Sequence, residues 1–102
     1  MSQMMVRYKV KPERAAENER LIRAVYEELH RTRPHGLRYT TFRLEDGVSF
    51  VHIALQEDDA PRLPDVKAFR EFTRQIEDRC DEQPSVTVLH QIGAFGFAQA
   101  IR

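Results

Sequence analysis

The chain has 102 residues, with 16 basic and 16 acidic side chains balancing to zero net charge, and it is 41% hydrophobic, 31% charged and 9% aromatic. That length suits one domain, residues 1–102 with 93–102 as a C-terminal tail, whose modest core hides about two-thirds of the unfolded surface. Four glycines and five prolines exclude collagen-like and low-complexity chains, and the even charge balance excludes a global field drawing the chain to nucleic acid or an anionic membrane.

Residues 4–10 alternate, with Val6, Tyr8 and Val10 on one side and Met5, Arg7 and Lys9 on the other, the period of a strand. Pro12 then opens a helix, since its missing N–H falls where a helix amide has no partner. Leu21, Val25 and Leu29 recur at four-residue steps, widened by Ile22 and Tyr26, while Glu19 and Arg23 form an i,i+4 pair on the wet side. Pro34-His35-Gly36 stops the helix. Residues 37–45 and 48–56 read as strands joined by Asp46-Gly47, expected to be a two-residue type I′ turn. Residues 57–64 form an acidic, proline-bearing loop. Asp65 is expected to cap a second helix whose face carries Val66, Phe69, Phe72, Ile76 and Cys80. Pro84 opens a last strand over residues 85–92, in which Val86, Val88 and His90 share a side.

The order β-α-β-β-α-β is the split βαβ of ferredoxin-like α+β folds, with two helices on one face of a four-stranded antiparallel sheet. Counting outward from Asp46-Gly47 pairs Phe42 with Val51, Thr40 with Ile53 and Arg38 with Leu55 on one face. Arg43 with Phe50, Thr41 with His52 and Tyr39 with Ala54 fall on the other, and Leu37 pairs with Gln56. Both faces carry apolar groups, whereas a half-solvated sheet shows one polar face. One side is therefore assigned to the helices and the other to a second copy of the chain. The expected interface is Phe42, Val51, Ile53 and Leu55, with Phe95 and Phe97 of the tail clasping the partner.

On the second face Tyr39, Thr41, Arg43, His52 and Gln56 sit among Leu37, Phe50 and Ala54, a mixture that suits either a small-molecule pocket or a wet sheet margin. Phe69 and Phe72 read as core or as the helix-side wall of that pocket. No metal set is expected: His30, His35, His52 and His90 are scattered and Cys80 is alone. Cys80 is read as a small helical core residue, its thiol discouraged from ionising by Asp78, Asp81 and Glu82. A single cysteine and an N-terminus without a long apolar run lead to a cytoplasmic expectation, and no stretch approaches the ~20 apolar residues of a membrane span. RNA-recognition domains share this element order. Residues 49–56, however, hold one Phe and no Lys or Arg, so base stacking on that strand is not expected.

Val6-Arg7-Tyr8-Lys9-Val10-Lys11-Pro12, Gly36-Leu37-Arg38-Tyr39, Phe50-Val51-His52-Ile53-Ala54-Leu55-Gln56 and Ala68-Phe69-Arg70-Glu71-Phe72 carry a likeness to a known family over most of the chain. The sequence resembles the antibiotic biosynthesis monooxygenases of the dimeric α+β-barrel superfamily. That resemblance implies a homodimer and a small aromatic or hydrophobic ligand, with no nucleic acid or membrane partner. The chemistry it implies is cofactor-independent oxygenation of a phenolic or quinol substrate, the alternative being a non-catalytic ligand-binding or assembly domain of the same fold. Two departures stand out. The family often ends its third strand in tryptophan, whereas this chain has no tryptophan and places Gln56 there. The haem-degrading branch carries a histidine on the second helix, and residues 65–82 contain none. No cofactor is expected. For oxygenation, His52 is the expected general base, its ordinary pKa of about 6.5 lying near working pH, with Tyr39 or Arg43 orienting the substrate oxygen.

Overall fold

The computed structural model describes residues 1–97. Strand β1 (Ser2–Val10) is followed by a 3₁₀ turn (Pro12–Arg14) and helix α1 (Ala15–Thr32). Strands β2 (Leu37–Arg43) and β3 (Ser49–Gln56) form the hairpin. A second 3₁₀ turn (Leu63–Asp65), α2 (Lys67–Thr73), α3 (Ile76–Arg79) and β4 (Cys80–Val88) complete the order. The four strands lie in the order β2-β3-β1-β4, every neighbouring pair antiparallel. This is the ferredoxin-like α+β architecture expected from the element order.

The core lies between the helices and one sheet face, where Tyr8, Val10, Phe50 and Cys80 meet Ile22, Val25 and Phe72. Because pleating sends alternate side chains to opposite faces, Phe50, His52 and Ala54 are buried beneath the helices. Val51, Ile53 and Leu55 are only half-buried on the outer face, with Phe42 exposed beside them. The hairpin register is the one counted from the sequence, pair by pair from Leu37↔Gln56 to Arg43↔Phe50.

The turn itself differs. Only Gly47 takes positive φ (78°), so a type I′ pair, which needs positive φ at both residues, is not formed. Instead residues 45–48 make a wider loop, closed by the Gly47 amide donating to the Leu44 carbonyl and the Leu44 amide to Ser49. The Asp46 carboxylate accepts from the amides of Val48 and Ser49 (2.9 and 2.8 Å) and from the Ser49 hydroxyl (2.6 Å). Those three donors hold the carboxylate down to about 2. The register survives because both loops place the same residues opposite each other.

The second half departs further from the periodicity. The helix expected through Cys80 breaks at Gln75 (φ −130°, ψ 32°) and ends at Arg79, and Cys80 begins β4 opposite Val10. Pro84 lies inside β4 rather than opening it. It sits where the register against β1 shifts between Arg7 and Lys9, and an edge strand at a bulge tolerates a residue without an N–H. Leu89 gives its amide to Gln3, and His90 is exposed beyond the strand, so Val86, Val88 and His90 do not form one ladder face. Asp65 ends the short turn and accepts the Arg62 amide instead of capping α2. The amides that open α2, Lys67 and Ala68, donate to the Glu28 carboxylate of α1 (3.2 and 2.9 Å), which lowers the pKa of that carboxyl. Of the expected tail, Phe95 is almost fully exposed and Phe97 largely so, and residues 98–102 lie outside the described residues.

Candidate functional site

The hairpin register sets Thr41 directly opposite His52, and Tyr39 one pair further along the same face. On the other side of β3, Tyr8 pairs with Phe50 and reaches diagonally across to the histidine. His52 is 4% exposed. Its Nε2 lies 2.8 Å from the Tyr8 hydroxyl, and its Nδ1 lies 2.6 Å from the Tyr39 hydroxyl and 3.1 Å from that of Thr41. The Thr41 hydroxyl also meets Tyr26 Oη of α1 at 2.7 Å. On the far side, Asn18 Nδ2 donates to Tyr8 Oη (2.9 Å) and Arg79 Nε donates to Asn18 Oδ1 (3.1 Å). Six polar side chains besides His52 thus form one chain through the core.

Aromatic rings enclose it. Phe72 lies 5.3 Å from the His52 ring, Phe69 meets Tyr39 edge-on at 6.3 Å, and Tyr26 stacks on Tyr39 at 5.3 Å. Burial pushes the imidazole pKa down to about 4 and keeps His52 neutral at pH 7. Burial likewise raises the phenols of Tyr8, Tyr26 and Tyr39, so they serve as neutral hydroxyls. Arg79, 1% exposed, has no carboxylate partner among the described residues. Its second nitrogen donates to the Phe72 carbonyl and its guanidinium packs 5.4 Å from the Phe72 ring. Burial of the Cys80 thiol raises its pKa, with Asp81 adding to the effect, which makes it a poor nucleophile.

Open space lies at the sheet edge, where α1 stands away from β2. One cleft, about 350 Å³, is lined by Tyr26, Leu29, His30, Arg33, Pro34, Leu37 and Tyr39. A second, about 260 Å³, is lined by Ile22, Tyr26, Thr41 and Phe50, with Glu19, Arg23 and Arg43 around it. Glu19 accepts from both Arg23 (2.7 Å) and Arg43 (2.9 Å), so two cations share one anion at this cleft.

The residues expected to form one pocket are therefore divided. Thr41, Phe50 and Arg43 line the second cleft and Tyr39 the first, while His52 lines neither and stands one hydroxyl behind Thr41. Phe69 and Phe72 pack into the aromatic core. Gln56 lies at the sheet end, where its Oε1 accepts from Arg62 (3.3 Å). Arg79, Asn18, Tyr8 and Tyr26 were not expected in the site. Asn18 carried a signal, since it falls four residues before Ile22 on the apolar stripe, where a polar residue needs a buried partner. Among the described residues no group of three or more His, Cys, Asp or Glu is placed to hold a metal ion, and no helix is long and apolar enough to cross a membrane.

No protein-family model and no curated protein matches the sequence. Solved structures match in fold. One, an antibiotic biosynthesis monooxygenase, superposes with a TM-score of 0.67 at 21% identity, covering 91% of this chain and 100% of that one. SnoaB, a cofactor-independent oxygenase from Streptomyces nogalater, superposes at 0.67 with 19% identity, covering 93% of this chain and 96% of its own. Rv0793 from Mycobacterium tuberculosis superposes at 0.69 with 18% identity, covering 90% and 95%. The class that fold and topology define is the α+β fold of the antibiotic biosynthesis monooxygenase structures, in line with the resemblance in the sequence.

Proposed function

We propose that this chain binds a small, flat, largely apolar molecule in the 260 Å³ cleft between α1 and β2, and oxygenates a phenolic or quinol substrate there without a cofactor. The observation that carries this reading is the meeting, in one cleft, of an apolar floor (Ile22, Phe50), a hydroxyl wall (Tyr26, Thr41) backed by His52, and a cationic rim (Arg23, Arg43). An apolar pocket with a few placed polar groups is the general form of a small-molecule site. Fold neighbours such as SnoaB, a cofactor-independent oxygenase, support the choice of chemistry.

The substrate itself supplies the electrons. A phenol carrying a C–H at the reacting position takes one atom of O₂ as a carbonyl oxygen. The other atom leaves as water with the ring hydrogen and the phenolic proton. The electron-rich oxyanion is the form that passes an electron to O₂, and the protein's part is to favour that oxyanion and to keep water from the ring. His52, neutral and one residue removed from the cleft, acts by holding the hydroxyl wall in place.

The full partnering of His52 favours a second reading, a ligand-binding domain without turnover. Dissolved-oxygen uptake with a panel of phenols and quinols separates the two when run beside Thr41→Val. Uptake that falls in the variant supports the oxygenase; uptake unchanged in the variant removes the cleft from the reaction. Binding without uptake by any panel member supports the second reading.

The working unit is proposed to be a homodimer joined through the outer sheet face. Met5 lies opposite Ile53 there, extending the stripe of Phe42, Val51 and Leu55, and Phe95 and Phe97 stand exposed nearby in sequence beyond β4. Arg38 Nε, on the same face, is the only buried side-chain polar atom among the described residues without a hydrogen-bond partner.

A further inference from the structure

We infer that every hydrogen bond in the buried chain runs one way, from Arg79 toward the cleft, and that the cleft consequently presents a hydroxyl donor selecting a ring that bears a phenolate-type oxygen. The inference rests on the reading of the α1/β2 cleft as the binding site.

The direction follows from the inventory of donors. A guanidinium has donors only, so the Asn18 atom facing Arg79 is the carbonyl oxygen and the amide nitrogen faces Tyr8. Arg79 cannot turn away, because it is also held by the Phe72 carbonyl and ring. The Tyr8 oxygen therefore accepts from Asn18, and the Tyr8 proton goes to the hydroxyl's other partner, His52 Nε2. A proton on Nε2 as well would set two hydrogens against each other in a 2.8 Å gap. The neutral ring then carries its proton on Nδ1, which donates to Tyr39 at 2.6 Å. The same Nδ1–H faces Thr41 Oγ1 at 3.1 Å, so the threonine oxygen accepts there as well, and Thr41 donates its own proton to Tyr26 Oη at 2.7 Å. The Tyr26 proton is left for the cleft that Tyr26 and Thr41 share. Arg23 and Arg43, two cations bridged by the single carboxylate of Glu19, complete a wall that favours an anionic oxygen over a hydroxyl. Asn18 and Arg79 are positioning residues: they touch no ligand but set the sense of the chain.

The test uses ¹⁵N-labelled full-length protein and 4-nitrophenol as the probe. Two-bond ¹H–¹⁵N correlation spectra are expected to show His52 as the Nδ1–H tautomer; the Nε2–H tautomer overturns the inference. Asn18→Asp keeps the shape and gives Arg79 a carboxylate, but offers Tyr8 only an acceptor. Tyr8 should then donate to the introduced carboxylate, and His52 should switch to Nε2–H; an unchanged tautomer overturns the role given to Asn18 and Arg79. In the native protein the phenolate form of 4-nitrophenol should bind about tenfold more tightly than the phenol, seen as a fall in its bound pKa, and Asn18→Asp should abolish or reverse that preference. Equal binding of the two forms overturns the ligand class. Absence of binding with the Nδ1–H tautomer in place brings down the cleft as the site and leaves the direction of the chain standing.

Discussion

Acidification should expose the buried histidine as a stability liability. Burial holds the His52 pKa at about 4 against 6.5 when unfolded, so between those values the unfolded chain binds the proton that the folded chain refuses. Stability is then fully present above pH 6.5, falls as the pH drops toward 4, and loses nothing further to this group below that. The slope is at most about 1.4 kcal/mol per pH unit, and the interval sums to about 3 kcal/mol, a large share of the roughly 5–15 kcal/mol that holds a domain together. Carboxylates with lowered pKa values, Glu17, Glu19, Glu28, Asp46 and Asp58, act in the same direction but through values below 4.5. The window from 6.5 to 4.5 is therefore dominated by His52. With a urea slope of about 1–3 kcal/mol/M for a small domain, the midpoint should fall by about 1–2 M across that window at fixed protein concentration. His52→Gln, which cannot titrate, should show a much flatter profile. A native midpoint that holds steady from pH 6.5 to 4.5, or a variant that loses as much as the native chain, would refute the argument.

Three further outcomes are expected. Gly36→Ala should cost about 2 kcal/mol, read by calorimetry, because Gly36 sits at φ +74° and an added Cβ would lie 3.0 Å from Glu57 Cβ and Cγ and 3.2 Å from Ala60 Cβ. Glu28→Ala should remove the acceptor for the first amides of α2, seen as faster hydrogen exchange at Lys67 and Ala68. Sedimentation equilibrium of the native chain at micromolar concentration should give twice the chain mass, and Ile53→Lys should return it to the monomer; a native monomer would sink the homodimer.

The first half of this protein was legible because its determinants are local. Alternation in β1, the four-residue stripe of α1 and the count outward from Asp46-Gly47 set the strands, the helix and the hairpin register, and with them the placement of Thr41 opposite His52. The second half was not, because β4 is defined by pairing across the whole chain. Cys80 looks helical by periodicity yet takes extended backbone opposite Val10, and Pro84 is admitted to the strand by a bulge that only the partner β1 reveals. The site divides along the same line. Sequence alone marked His52, Tyr39, Thr41 and Arg43 as chemistry-bearing residues on one sheet face. Only the tertiary structure brought Asn18 of α1, 61 residues before Arg79 in sequence, into hydrogen-bond distance of it and closed the chain onto Tyr8. A hydrogen bond at that separation leaves no periodic trace, and the direction of a buried network is decided by the one member that can only donate.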